Sequence, residues 1–163
     1  MKRVIIFDLD ETLINSSHRT PNRPDGTLDL EKYFQMKNRK NIFKDSLLPL
    51  AEVFKRLCRK ENYIVICTAR VMNQDDYDFL AHHGLEFHSI MCRPADGSEN
   101  HIKDAILKSR KIKRLMNLRQ FRNLPAVMFD DAKPVISAIR KIGIPVLNAV
   151  KVNEKLEKIA QAS

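Results

Sequence analysis

Apolar residues fall along this chain in two rhythms. Unbroken runs, Val4-Ile5-Ile6-Phe7, Tyr63-Ile64-Val65-Ile66-Cys67 and Ala126-Val127-Met128-Phe129, each end at a polar residue, and Ile144-Pro145-Val146-Leu147 is a fourth. A short apolar run without alternation predicts a strand buried on both faces, the condition of a parallel sheet. Between the runs the spacing becomes helical. Leu50, Val53, Phe54 and Leu57 recur at i, i+3, i+4 and i+7, and Val135, Ile139 and Ile142 precede Gly143, a helix stop. Ile102, Ile106, Ile112 and Leu115 predict one or two amphipathic helices, and Leu156 and Ile159 a last one that docks on the core or serves an interface. Alternating strands and helices imply βαβ crossovers and an α/β fold with a central parallel sheet flanked by helices.

Residues 15–45 break both rhythms. Pro21, Pro24 and Asp25-Gly26 interrupt any period, so loops or a small inserted element are expected, an active-site flap rather than a second domain. The 163 residues then make one domain, 1–163.

Composition narrows the function classes. No apolar run approaches the roughly 20 residues of a membrane helix, and Asp8 and Asp10 stand where a signal peptide would stay apolar, so a cytoplasmic protein that avoids membranes is expected. Cys58, Cys67 and Cys92 form no Cys-x-x-Cys pair, and reduced packing residues are expected. The formal net charge of +9 favours anionic partners. Residues 103–122 carry eight basic residues against one acid, which reads equally as a solvated helix face or a nucleic-acid track.

In an open parallel sheet ligands bind beyond the carboxyl ends of the strands. Asp8, Asp10, Glu11 and Thr12 follow the first run, Thr68 and Arg70 the second, and Asp130 and Asp131 the third. Phosphate monoester transfer needs a nucleophile, a proton donor for the leaving oxygen and positive charge to screen the phosphoryl group. A turn after the first strand lets two carboxylates flank one phosphate, and repulsion among the acids should help hold a proton on Asp10. Mg²⁺, a hard cation suited to carboxylate and phosphate oxygens, would offset the remaining charge.

These residues resemble the haloacid dehalogenase (HAD) superfamily over about residues 3 to 148. Asp8-Leu9-Asp10-Glu11-Thr12 matches its first motif, Thr68 the second, Lys103 the third and Asp130-Asp131 the fourth. The resemblance implies a Rossmann-like HAD fold with a small flap in place of a large cap domain. It implies an aspartyl-phosphate mechanism: Asp8 as nucleophile, Asp10 as general acid/base, Thr68 bonded to a phosphoryl oxygen, and Lys103 neutralising nucleophile and phosphate. It also implies Mg²⁺ held by Asp8, by Asp10 through its backbone carbonyl and by Asp131, with Asp130 as outer shell or co-ligand. Thr12 falls among the substrate-contacting positions.

Within the superfamily the sequence is similar to the 3′-phosphatase domain of phage-type polynucleotide kinase/phosphatase. Arg19, Arg70 and the run Met91-Cys92-Arg93 carry that likeness, which implies that Arg19 and Arg70 bind substrate phosphate. The sequence holds no Gly-x-x-x-x-Gly-Lys-[Ser/Thr] loop to cradle ATP, so a stand-alone phosphatase is expected.

A phosphorylated nucleic-acid end is therefore the expected substrate, the basic surface favouring it over the alternative, a nucleoside or deoxynucleoside 5′-monophosphate. A protein phosphatase and a catalytically silent binding module are the further readings, and the oligomeric state is left open. His18 and His101 are placed near the site, His82 and His83 at a helix end. Tyr33, Phe34 and Phe43 are read either as flap packing or as a stacking face for a base.

Overall fold

The computed structural model describes residues 2–163. In chain order the elements are β1 (Arg3–Phe7), β2 (Ile14–Asn15), α1 (Leu30–Met36), α2 (Arg39–Ile42), β3 (Ser46–Leu47), α3 (Leu50–Cys58) and β4 (Asn62–Val71). There follow α4 (Gln74–His82), β5 (Ser89–Arg93), α5 (Asp104–Met116), β6 (Ala126–Asp130), α6 (Lys133–Lys141), β7 (Val146–Asn148) and α7 (Ala149–Gln161). Five strands form one sheet in the order β5-β4-β1-β6-β7, and every pairing is parallel.

The unbroken apolar runs are explained by two cores, one on each face of this sheet. Successive side chains of a strand point to opposite faces. Ile5, Phe7, Ile64, Ile66 and Phe129 pack with Leu50, Ala51 and Phe54 of α3, Phe79 of α4 and Ala149 of α7. Val4, Ile6, Val65, Cys67 and Met128 pack with Ile112 and Leu115 of α5 and Val135, Ile136 and Ile139 of α6. Phe7 lies at the middle of the first core, stacked on Phe129 at 4.8 Å and edge-on to Phe54 at 5.0 Å. All three cysteines are free, as expected, and burial pushes the Cys67 thiol up to about 12.

The strands differ from the sequence reading at the sheet edges. β4 runs on to Val71, so Thr68 and Arg70 lie within a strand rather than in the loop after it. β5 has mixed composition and half-buried side chains, the habit of an edge strand, and its pattern predicted nothing. β7 starts only at Val146, because Pro145 has no N–H to give a ladder and contributes just its carbonyl, which accepts from the Met128 N–H at 2.9 Å.

Residues 14–47 stand on the sheet's carboxyl edge. Their two ends are joined by β2 and β3, an antiparallel pair with Ile14 opposite Leu47 and Asn15 opposite Ser46. Between these strands lie one turn of 3₁₀ helix at Ser17–Arg19, α1 and α2. α2 leans on α4, where Phe43 meets Phe79 edge-on at 5.7 Å and Arg39 reaches Asp75 and Asp78. Phe43 thus belongs to packing.

α7 docks on the core. Its buried Asn153 accepts from the Leu50 N–H at 2.8 Å and donates to the Thr12 carbonyl at 3.1 Å, fastening the start of α3 to the loop after β1. Neither backbone group has another way to be satisfied out of water. Asn153→Ala is expected to cost about 1–3 kcal/mol, read by urea unfolding. The exposed neighbouring change Glu154→Ala should stay within about 0.5 kcal/mol.

Candidate active site

The site begins where β1 ends. The Asp8 N–H donates to the Phe129 carbonyl at 2.9 Å, carrying the β1–β6 ladder one residue past the strand. The chain then reverses tightly, with the Leu13 and Ile14 N–H groups both on the Leu9 carbonyl at 3.0 and 3.1 Å. Glu11 takes φ = +53°, unlike any other non-glycine among the described residues, a conformation that costs a side chain about 1–2 kcal/mol. This turn sends Asp8 and Asp10 into different surroundings.

Asp8 stays buried and faces α5. Lys108 Nζ stands 2.6 Å from Asp8 Oδ1 and 2.7 Å from Asp130 Oδ2, all three side chains nearly removed from solvent. The Ala132 N–H donates to Asp130 Oδ1 at 3.0 Å, so each oxygen of the Asp130 carboxylate has a partner within the protein. Burial pushes the Asp8 carboxyl well above the ordinary range, Lys108 pulls it back, and Asp130 and Asp10 add repulsion. Burial, then Asp130, likewise raises Asp131. Asp8, Asp130 and Asp131 each offer an oxygen, all within 4.8 Å of one another. Three carboxyl groups share one lysine, so when ionised they carry two charges that Lys108 does not balance, and the donor set fits a hard divalent cation.

Asp10 belongs to a second cluster. Arg70 holds it with Nε at 3.2 Å and with a close Nη2 contact, and the Ser16 hydroxyl donates to it at 2.6 Å. The other arm of Arg70 meets Asp76 at 2.6 Å, and Nη2 lies 3.8 Å from Asp45. Asp45 is gripped by both arms of the Arg19 fork, at 2.8 and 2.7 Å, and by His18 Nε2 at 2.8 Å. Lys37 lies 3.7 Å from Asp76 and also touches the Val71 carbonyl. Burial acts to raise the Asp10 carboxyl, but the charge and hydrogen bonds of Arg70 outweigh it and hold the group at about 2. The repulsion expected to keep a proton on Asp10 is overcome in this state.

Several expected site residues are relocated. Lys103 is exposed and caps α5 by its backbone, making no ion pair among the described residues. The lysine that meets Asp8 is Lys108, on the buried stripe it shares with Ile112 and Leu115. Ile106, read from sequence as part of that stripe, is 53% exposed. Arg19 is 1% exposed and spends its fork on Asp45, so it pins the 14–47 segment, and unlike Arg70 it does not line the pocket. Thr12 is fully buried, its hydroxyl sealed from solvent without a partner, and it does not reach the pocket. Thr68 is buried at the same sheet edge, its Oγ1 accepting from the Arg70 N–H at 3.1 Å. His18 serves Asp45, and His82 and His83 close α4.

Beside Asp10 and Arg70 opens a pocket of about 350 Å³. Ser16, Thr20, Leu28, Leu30, Tyr33 and Phe34 form its 14–47 side, and Ala69, Val71, Arg93, Asn100 and Asp104 the other. That volume is at the small end of ligand sites.

An all-parallel sheet with Asp8, Asp10, Thr68, a lysine and an Asp-Asp pair at its carboxyl edge is the architecture of a HAD-type phosphatase, a phosphoric monoester hydrolase, and that is the class of this chain. It belongs to the family described as bacteriophage T5 5′-deoxynucleotidase, whose pattern matches residues 1–162. The 5′-deoxynucleotidase of Escherichia phage T5 is 34% identical over 174 residues, covering 96% of this chain and 70% of the relative. Among solved structures, the Pnkp1/Rnl/Hen1 RNA repair complex superposes at a TM-score of 0.66 and 20% identity over 91% of this chain, but only 42% of its own. A HAD hydrolase of Bacillus subtilis bound to magnesium gives 0.61 and 13%, over 89% of this chain and 87% of its own. At such identities these two likenesses are of fold alone. No helix among the described residues is long and apolar enough to cross a membrane.

Two substitutions separate the lysines. Lys108→Met should lower phosphatase turnover by at least ~100-fold, whereas Lys103→Ala should leave it unchanged, both read as phosphate release at saturating substrate. Arg19→Ala takes the guanidinium fork from the buried Asp45 and leaves it only His18 and the more distant Arg70, which should cost about 3 kcal/mol of stability, read by denaturant unfolding.

Proposed function

We propose that this chain is a Mg²⁺-dependent phosphatase of deoxynucleoside 5′-monophosphates. The observation that carries the reading is the small pocket of about 350 Å³ beside Asp10 and Arg70, walled on one side by the 14–47 segment. Membership of a family described by a 5′-deoxynucleotidase supports the same choice. The weighting from sequence, which put polymer ends first because of the basic surface, is therefore reversed.

In this reading Asp8 attacks phosphorus and forms an aspartyl-phosphate as the P–O5′ bond breaks. Lys108 screens Asp8 and the phosphoryl oxygens, and the Thr68 hydroxyl donates to one of them. Asp8, Asp131 and the Asp10 backbone carbonyl would hold Mg²⁺, with Asp130 fixed behind them by Lys108 and the Ala132 N–H. The ion supplies charge neutralisation at the phosphoryl group.

Arg70 and Asp10 act as a pair. In the free protein the guanidinium keeps Asp10 ionised. An incoming phosphate competes for that fork, and as Arg70 turns toward it, Asp10 gains affinity for the proton that it delivers to the leaving 5′ oxygen. A water then attacks the phosphorus of the aspartyl-phosphate, gives its proton to Asp10, and frees inorganic phosphate and Asp8.

The deciding experiment compares Mg²⁺-dependent phosphate release from the four deoxynucleoside 5′-monophosphates with release from a 3′-phosphorylated oligonucleotide. Monophosphates should be cleaved at least ~100-fold faster, the scale of one strong specificity contact. Asp8→Asn, which keeps the size and removes the nucleophile, should be inactive on both. Faster cleavage of the oligonucleotide would restore the end-processing reading, and activity on neither would remove the enzymatic one.

A further inference from the structure

α1 is an unusual helix: none of its seven residues is buried. Its apolar members Leu30, Tyr33 and Phe34 fall at i, i+3 and i+4 and so share one face, which a helix ordinarily turns to a core. Here all three line the pocket instead. Leu30 is 55% and Phe34 49% exposed, and the Tyr33 and Phe34 rings meet edge-on at 5.6 Å. An apolar, aromatic face left in water inside a pocket calls for a ligand with a flat apolar face of its own.

The facing wall is rigid and polar. Arg93 staples the loop after β5, with Nη2 on the Ile102 carbonyl at 2.7 Å and on Asp104 at 2.6 Å, and Nη1 on the Glu99 carbonyl. Glu99 is tied in turn to Lys111 at 2.8 Å. Gly97 makes the bend with φ = +76°, and the Asn100 N–H closes it on the Gly97 carbonyl at 3.1 Å. The Arg93 side chain is thereby committed to this loop. Asn100 is exposed and lines the pocket, and its carboxamide makes no side-chain hydrogen bond among the described residues.

We propose that Leu30, Tyr33, Phe34 and Asn100 form a base-anchoring subsite that grips the nucleobase of a mononucleotide without choosing among bases, an inference that rests on the nucleotidase reading. Stacking on an aromatic face tolerates every base, because each has a π-face. A carboxamide can both donate and accept, so it finds a partner on the edge of any of the four. Base selection needs several fixed polar donors and acceptors of one pattern, and Arg93, the other donor side chain of this wall, is engaged within the protein. The subsite therefore selects for the presence of a base.

The test measures kcat/KM for the four deoxynucleoside 5′-monophosphates and for 2-deoxyribose 5-phosphate, which lacks the base, in the wild type, Phe34→Ala and Asn100→Ala. Phosphate-free deoxyadenosine and thymidine serve as competitive inhibitors in the same assays. Both side chains are exposed, so the variants should fold. The wild type should favour every monophosphate over the base-free sugar phosphate by at least ~10-fold, with the four within ~10-fold of one another. Phe34→Ala should lower kcat/KM on the monophosphates ~10-fold and Asn100→Ala about 3–10-fold, while the sugar phosphate is unaffected and inhibition by both nucleosides weakens in both variants. Equal losses on all substrates, no loss, or unchanged inhibition would overturn the subsite, and a ~100-fold preference for one base would overturn its indifference. Failure of the nucleotidase reading looks different: the wild type would then cleave none of the four monophosphates.

Discussion

Lys108 Nζ lies between Asp8 and Asp130, 2.6 and 2.7 Å away, in a place nearly closed to water. A carboxylate moved into a protein interior costs several kcal/mol unless a counter-charge comes with it. Two strand ends supply carboxylates here, and the parallel sheet brings them together because Phe7 pairs with Phe129. α5 must then cross the sheet in the one register that carries Lys108 over both. The packing of α5 through Ile112 and Leu115 and the ion cluster are a single constraint, since the same helix face does both.

The carboxyl edge divides into halves of different charge. On the side of residues 14–47, Asp10, Asp45 and Asp76 are matched by Arg19, Arg70 and Lys37, three acids against three bases. This half is neutral without any ligand, and it ties the segment to β4 and α4 through buried pairs. On the α5 side, Asp8, Asp130 and Asp131 face Lys108 alone. The surplus of two negative charges lies where a divalent cation and a phosphoryl group would meet the nucleophile. Arg70 stands at the boundary, so in the proposed mechanism a phosphate that drew on it would disturb the balanced half and make Asp10 available for protons.

The central sheet was legible in the sequence because burial on both faces leaves unbroken apolar runs, and all four runs became or overlapped strands. Asp8, Asp10, Thr68, Asp130 and Asp131 were legible because they follow those runs. Lys108 was not, because a lysine looks solvent-facing unless its helical phase is known, and the stripe was phased through Ile106, which faces water. Its spacing to Ile112 and Leu115, i+4 and i+7, was the available signal. Arg19 misled for a complementary reason: sequence displays a cation near a phosphate site but not the Asp45 that consumes it 26 residues later. β5 was missed because an edge strand needs no continuous apolar run.

Reaction and substrate are encoded in different physical terms. The phosphate chemistry rests on residues whose place is set by strand register, so short motifs report it. The substrate pocket is assembled from α1 and the loop after β5, which are joined by no sheet pairing and meet only because β2 and β3 close the neck of one and Arg93 staples the other. Neither device has a period or a motif. The apolar face of α1 in particular reads from sequence like the buried side of a helix, and only the fold reveals that no core covers it. Under the proposed function, a related chain that kept Asp8, Asp10, Arg70 and Lys108 but changed Leu30, Phe34 or Asn100 would keep its chemistry and alter its substrate, because the proposed base subsite contains none of those four.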